Sequence, residues 1–141
     1  MGFPYESGPY GILIFLALTI VMGGAAALSA GRALAATWRP VWLAGLYAAP
    51  ISMAIAFLHY ALFQEAVIPL YALASALASL AREPGASLLQ IGAGLRGFAA
   101  LFIIHACFAL LGYRLTRVRQ MNSQYRFAVL ADGPFRWRSR T

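Results

Sequence analysis

Two stretches of this chain, Tyr10 to Ala30 and Val41 to Phe63, contain no charged side chain at all. Each is about as long as the ~20 residues that a helix needs to cross a ~30 Å hydrocarbon core. Helices that are apolar all the way round belong either inside a large protein or in a membrane. A chain of 141 residues supplies one domain, too small to bury two such helices. Composition agrees, with 62% hydrophobic and 11% charged residues, where soluble domains carry about 25% charged. The expected fold class is all-α and integral to a membrane.

The remaining chain divides less cleanly. Residues 66–81 are apolar but short for a crossing, and Leu70, Leu73, Leu77 and Leu80 share one helical face. That pattern predicts an interfacial or re-entrant helix, closed by Arg82-Glu83-Pro84-Gly85. Ser87 and Gln90 match a capping box, with Ser87 as N-cap, and open a helical periodicity that runs to about Met121. Only 97–113 of it is expected in hydrocarbon, with Gly92, Gly94 and Gly97 bending or lying at the surface. Thr37 is read as the N-cap of the second span, Pro40 as a first-turn residue, and Trp38 and Trp42 as interface markers. The transmembrane domain thus covers 1–121, and 122–141 is a basic tail with a turn at Asp132-Gly133-Pro134.

All 11 basic residues are arginines, against Glu6, Glu65, Glu83 and Asp132, for a net charge of +7. A nucleic-acid domain would spread such charge over a soluble surface. Here the arginines cluster beside apolar runs, so no nucleic-acid partner is expected. Arg32 and Arg39 mark the first loop, and Arg114, Arg117, Arg119, Arg126, Arg136, Arg138 and Arg140 mark the tail. Arginine-rich segments stay cytoplasmic, so loop and tail share a side and an even number of crossings separates them. This predicts three spans in the bacterial inner membrane, with the N-terminus periplasmic and the C-terminus cytoplasmic. A cleaved signal peptide is not expected, because residues 1–10 carry Glu6 and no arginine.

Polar groups inside spans are the default functional candidates. His59 and His105 qualify, with Ser52 one face-repeat from His59. Two histidines could ligate haem. Counted from Trp42 and Tyr113, however, the imidazoles lie about 13 Å apart along the membrane normal, too far to share an iron. The simplest reading is two neutral histidines, each hydrogen-bonded to a neighbouring helix; proton handling or ligand contact is the alternative. Pro50 leaves the Leu46 carbonyl without its usual donor, which predicts a kink. Cys107 is the single cysteine. No metal, no cofactor and no enzymatic constellation is expected.

Small residues recur every four positions: Gly23, Ala27 and Gly31, then Ala44, Ala48 and Ser52, then Ala93 and Gly97. Such stripes let helix backbones approach closely in lipid. They serve either internal packing or docking of another membrane subunit. Arg114, Arg117, Arg119, Arg136, Arg138 and Arg140 face lipid headgroups or a cytoplasmic partner.

Four stretches carry a family resemblance: Gly31-Arg32-Ala33-Leu34-Ala35-Ala36-Thr37-Trp38-Arg39-Pro40, then Phe57-Leu58-His59-Tyr60-Ala61-Leu62-Phe63, then Leu111-Gly112-Tyr113-Arg114-Leu115-Thr116-Arg117 continuing through Arg119-Gln120-Met121 and Gln124-Tyr125, and finally Gly133-Pro134 with Trp137-Arg138. Together they resemble an uncharacterised family of small alphaproteobacterial membrane proteins, a domain of unknown function. Its members are often encoded beside components of branched-chain amino-acid ABC transporters. The resemblance covers roughly 1–63 and 98–141, with 64–97 looking like an insertion. Family members carry an acidic residue in the last span, where this chain has His105.

Two functions follow as expectations. The first is a non-catalytic accessory or assembly subunit of a larger inner-membrane complex, the resemblance implying a branched-chain amino-acid importer, with the small-residue faces contacting partner helices. The second is a self-associating small channel or transporter, with His59, Ser52 and Tyr60 lining a polar path. A haem or quinone site on one histidine is a third, lesser reading.

Overall fold

The computed structural model describes residues 10–63, 77–80, 82 and 84–139. Three helices dominate: α1 (Gly11–Ala36), α2 (Trp42–Phe63) and α3 (Pro84–Gln124). A small antiparallel hairpin follows, β1 (Val129–Ala131) and β2 (Trp137–Ser139). Among the described residues three segments are long and apolar enough to cross a membrane, Gly11–Ala36, Trp42–Phe63 and Leu95–Gln124. The all-α membrane class expected from the apolar runs therefore holds. The expected helix at 66–81 lies mostly outside the described residues; Leu77–Ser79 within it are helical.

The first helix is not uniform. Between Leu16 and Gly23 it is wound as a π-helix, flanked by α-helical Gly11–Phe15 and Gly24–Ala36. A π turn takes more residues to come round than an α turn, because its hydrogen bonds run from i to i+5. Thr19 and Gly23, four apart, are thereby kept on one face with Ala27, Gly31 and Ala35, and all five are buried. On α2 the buried face is Ala44, Ala48, Ser52, Ile55, Ala56 and His59. Pro50 lies on the exposed side, and the helix runs on through it.

The small residues bring α1 and α3 together backbone to backbone. A Cβ on Gly31 would fall on the carbonyl oxygen of Ala109, and one on Gly112 would fall on the carbonyl oxygen of Leu28. Ala27, Ala35 and Ala109 from these two helices cluster with Leu34, Tyr113 and Ala44 of α2. The stripe on Gly23, Ala27, Gly31 and Ala48 thus faces into the bundle. Of the two readings of this stripe, internal packing is the one its burial matches, and at Gly23 and Gly31 a side chain would collide with the chain's own third helix. Gly97 is half-buried on α3.

Three boundaries differ from expectation. The third helix begins at Pro84, so Ser87 lies inside its first turn and is not its N-cap. Proline suits a first turn, where its missing N–H is not needed. The helix continues through Gly92, Gly94 and Gly97 to Gln124, giving a length of about 60 Å at 1.5 Å per residue. Thr37 closes α1 and does not open α2: its hydroxyl donates to the carbonyls of Ala33 and Leu34, at 3.0 and 3.2 Å. The chain then reverses at Trp38, whose φ of 58° is left-handed.

The basic tail is also more ordered than its composition suggested. The turn at Asp132-Gly133-Pro134 is present, with Gly133 at φ 84°, a value that glycine adopts without strain. It joins strands in the register Val129 to Ser139, Leu130 to Arg138 and Ala131 to Trp137.

Candidate functional site

The buried polar residues among those described are Thr19, Ser52, His59 and His105, all fully shielded by the three helices. They converge on one residue of α1. Thr19 Oγ1 lies 3.0 Å from His59 Nε2, and the Thr19 carbonyl accepts from His105 Nε2 at 3.2 Å. Ser52 Oγ lies 2.8 Å from His105 Nδ1 and 2.7 Å from the carbonyl of Ala48. Phe15 covers His59, with ring centroids 6.2 Å apart.

Each element contributes for a local reason. Gly23 has no side chain, and a Cβ there would collide with His105 Nε2, so the glycine makes the berth for that imidazole. The π winding has the amide of Gly24 reach back to the Thr19 carbonyl. That oxygen has two lone pairs, and His105 takes the second. On α2, Ser52 stands one turn beyond Ala48 on the buried face, opposite His105.

Hydrogen-bond chemistry fixes part of the protonation pattern. A carbonyl only accepts, so Nε2 of His105 carries the hydrogen. With the ring neutral, Nδ1 is an acceptor, and it competes with the Ala48 carbonyl for the single hydrogen of the Ser52 hydroxyl. A proton passing from His105 towards His59 would have to cross Thr19, and a peptide carbonyl has no hydrogen to hand on. The four residues therefore form two hydrogen-bonded pairs that meet on Thr19, without making a continuous proton wire.

Counting residues along the helices had placed the two imidazoles about 13 Å apart in depth. That separation is corrected: His59 Nε2 lies 3.0 Å from the Thr19 hydroxyl and His105 Nε2 lies 3.2 Å from the Thr19 carbonyl, so both rings meet at one residue. Sharing an iron would require each histidine to give up a protein partner at one ring nitrogen. No group of three metal-binding side chains occurs among the described residues. Thr19 was missed in the sequence reading. The available signal was that it is the one hydroxyl side chain between Gly11 and Leu28. Tyr60, expected beside His59 on a polar path, instead faces outward and is 47% exposed.

A second polar cluster ties the ends of α1 and α3 together. The Tyr113 hydroxyl donates to the Arg39 carbonyl at 2.7 Å, and Gln120 Nε2 to the Ala36 carbonyl at 3.4 Å. The Arg117 guanidinium lies 3.9 Å from the centre of the Trp38 ring, and Tyr125 meets that ring edge-on at 6.5 Å. The first loop and the tail thus occupy the same end of the bundle. Arg114, Arg119, Arg136 and Arg138 are exposed there, Arg117 is half-buried, and Arg140 lies outside the described residues.

A family model described as Domain of unknown function (DUF6867) matches residues 10–82, just over half of the chain. The match takes in α1, α2 and the two histidine partners Thr19 and Ser52 together with His59. It runs on through 64–82, which had been expected to belong to an insertion, and it does not extend over 98–141. No curated protein and no solved structure matches the chain.

Proposed function

The chain belongs to the DUF6867 family, whose function is unknown, and from that premise we propose a non-catalytic accessory subunit of a larger inner-membrane complex. The observation that carries this reading is the contrast between interior and exterior. Inside, the histidines are hydrogen-bonded to the chain's own helices. Outside, only 33, 28 and 22% of the three spanning windows is buried, leaving broad apolar faces open to lipid or to other helices. A small bundle of this kind has surface to offer to a partner.

The arginine distribution orients the protein, with the loop at 37–41 and the hairpin in the cytoplasm and the N-terminus in the periplasm. The family resemblance nominates a branched-chain amino-acid importer as the larger complex. The test is affinity purification of the full chain in mild detergent, followed by mass spectrometry. Importer membrane subunits are expected to co-purify in fixed proportion. Recovery of the protein alone, or only with copies of itself, overturns the proposal.

One observation favours a second reading, a self-associating channel or transporter: Ser52, His105, Thr19 and His59 form a polar line between the three helices. The Thr19 carbonyl interrupts that line as a proton path, and three helices enclose no pore alone. This reading therefore requires an oligomer, and a monomeric mass in native membranes would remove it.

A further inference from the structure

The hairpin presents a combination of side chains that neither water nor a protein core favours. Phe127, Phe135 and Trp137 are 77, 46 and 38% exposed. Trp137 stands opposite Ala131 in the ladder, so its partner is too small to cover the ring. Exposed Arg136 and Arg138 flank it in sequence. From Arg114 onward Asp132 is the one acidic residue.

Position gives this surface its meaning. The chain does not run away from the bundle after α3. Tyr125 turns back onto Trp38, which is itself held under Arg117. Asn122 Oδ1 accepts the amide of Ala131 at 3.4 Å, which fastens the hairpin to the helix end. It is thereby kept at the end of the bundle, beside a loop that carries Trp38 and Arg39 and leads into Trp42 of α2. Aromatic rings with a polar edge settle where acyl chains meet headgroups. Guanidinium groups pair with phosphate through two parallel hydrogen bonds. Trp137 and its flanking arginines alternate along the chain, so ring and guanidinium groups stand on opposite faces of a hairpin held next to a spanning helix and can meet the two requirements separately.

We propose that the hairpin, through Arg136, Trp137 and Arg138, is a headgroup-binding element that selects anionic phospholipids in the adjoining leaflet. It keeps an anionic lipid against the end of α3, independently of any protein partner of the bundle.

The test uses the full chain in nanodiscs of mixed phosphatidylcholine and phosphatidylglycerol, with retained lipid counted by native mass spectrometry. The wild type is expected to keep phosphatidylglycerol preferentially. R136Q/R138Q should weaken that preference about 30-fold, the effect of two arginines near an anionic surface. R82Q/R96Q, which removes two exposed arginines remote from the hairpin, should leave it intact. The proposal fails if R136Q/R138Q retains phosphatidylglycerol like the wild type, or if R82Q/R96Q loses it equally. It fails also if millimolar inorganic phosphate displaces the lipid, which would indicate a site for free anions. Tighter binding of soluble polyglutamate than of phosphatidylglycerol, lost in R136Q/R138Q, would reassign the surface to an acidic protein.

Discussion

Replacing Gly31 with alanine probes the packing of the bundle at its tightest point. The new methyl would fall on the Ala109 carbonyl oxygen, with the carbonyl carbon of Ala109 at 2.8 Å and the amide nitrogen of Tyr113 at 3.0 Å. All of these are backbone atoms, so no change of rotamer relieves the clash and α1 must move off α3. Overpacking of this kind costs about 1–3 kcal/mol. Parting the helices also weakens dispersion along the seam, which is what drives association in lipid. Against this stands the preference of a helix for alanine over glycine, about 1 kcal/mol. The net expectation for Gly31→Ala is a loss of up to about 2 kcal/mol. Gly112→Ala, aimed at the Leu28 carbonyl, should match it. At Gly24 the methyl meets the Phe108 ring at 3.1 Å, which can tilt away, and at Gly45 it meets nothing within 4 Å. Gly24→Ala should therefore be close to neutral and Gly45→Ala neutral or slightly stabilising. Unfolding by titration with sodium dodecyl sulfate, followed by helical circular dichroism, measures the series. Should Gly31→Ala unfold no earlier than Gly45→Ala, the close approach of α1 and α3 is not what holds the bundle.

Three further substitutions address the polar contacts. Thr19→Val removes the hydroxyl at His59 and keeps the carbonyl at His105, so ring nitrogen resonances of His59 should move while those of His105 stay; equal movement of both would contradict the two-pair arrangement. Ser52→Ala leaves His105 Nδ1 without its partner and is expected to cost about 0.5–2 kcal/mol in the same unfolding assay, against no effect if that bond is absent. Tyr113→Phe deletes the bond to the Arg39 carbonyl, so amide exchange over 37–41 should accelerate, and unchanged exchange would count against it.

The membrane class was legible from two charge-free runs, because hydrocarbon imposes length and composition directly on sequence. His59, His105 and Ser52 stood out for the same reason: polar atoms are rare there. Their partner Thr19 did not, since a lone hydroxyl in a helix ordinarily bonds its own preceding turn. Its role depends on the π winding of Leu16–Gly23, a tertiary adjustment without a local sequence signature. The small-residue stripes were readable as close-packing surfaces, but not which helices they join. That depended on matching Gly31 with Ala109 and Gly112 with Leu28 across the fold. The start of α3 was misplaced because Ser87 and Gln90 imitate a cap, while Pro84 had already opened the helix. The hairpin was hidden by its arginines, which read as a solvated tail until the strands paired.

The pairing of α1 with α3 sets an order of events during synthesis. The first helix packs far more extensively on the third than on α2, its neighbour in the chain. While the ribosome is still making the last span, the groove at Gly23, Ala27 and Gly31 stands open to lipid. The bond between Thr19 and His59 can already link the two helices that have left the translocon. Arrival of α3 then closes the bundle, bringing His105 to both earlier helices. Nascent chains stalled after the second span would present that open groove to chaperones and membrane proteases. Completion of the third span is thus what covers the groove on the first.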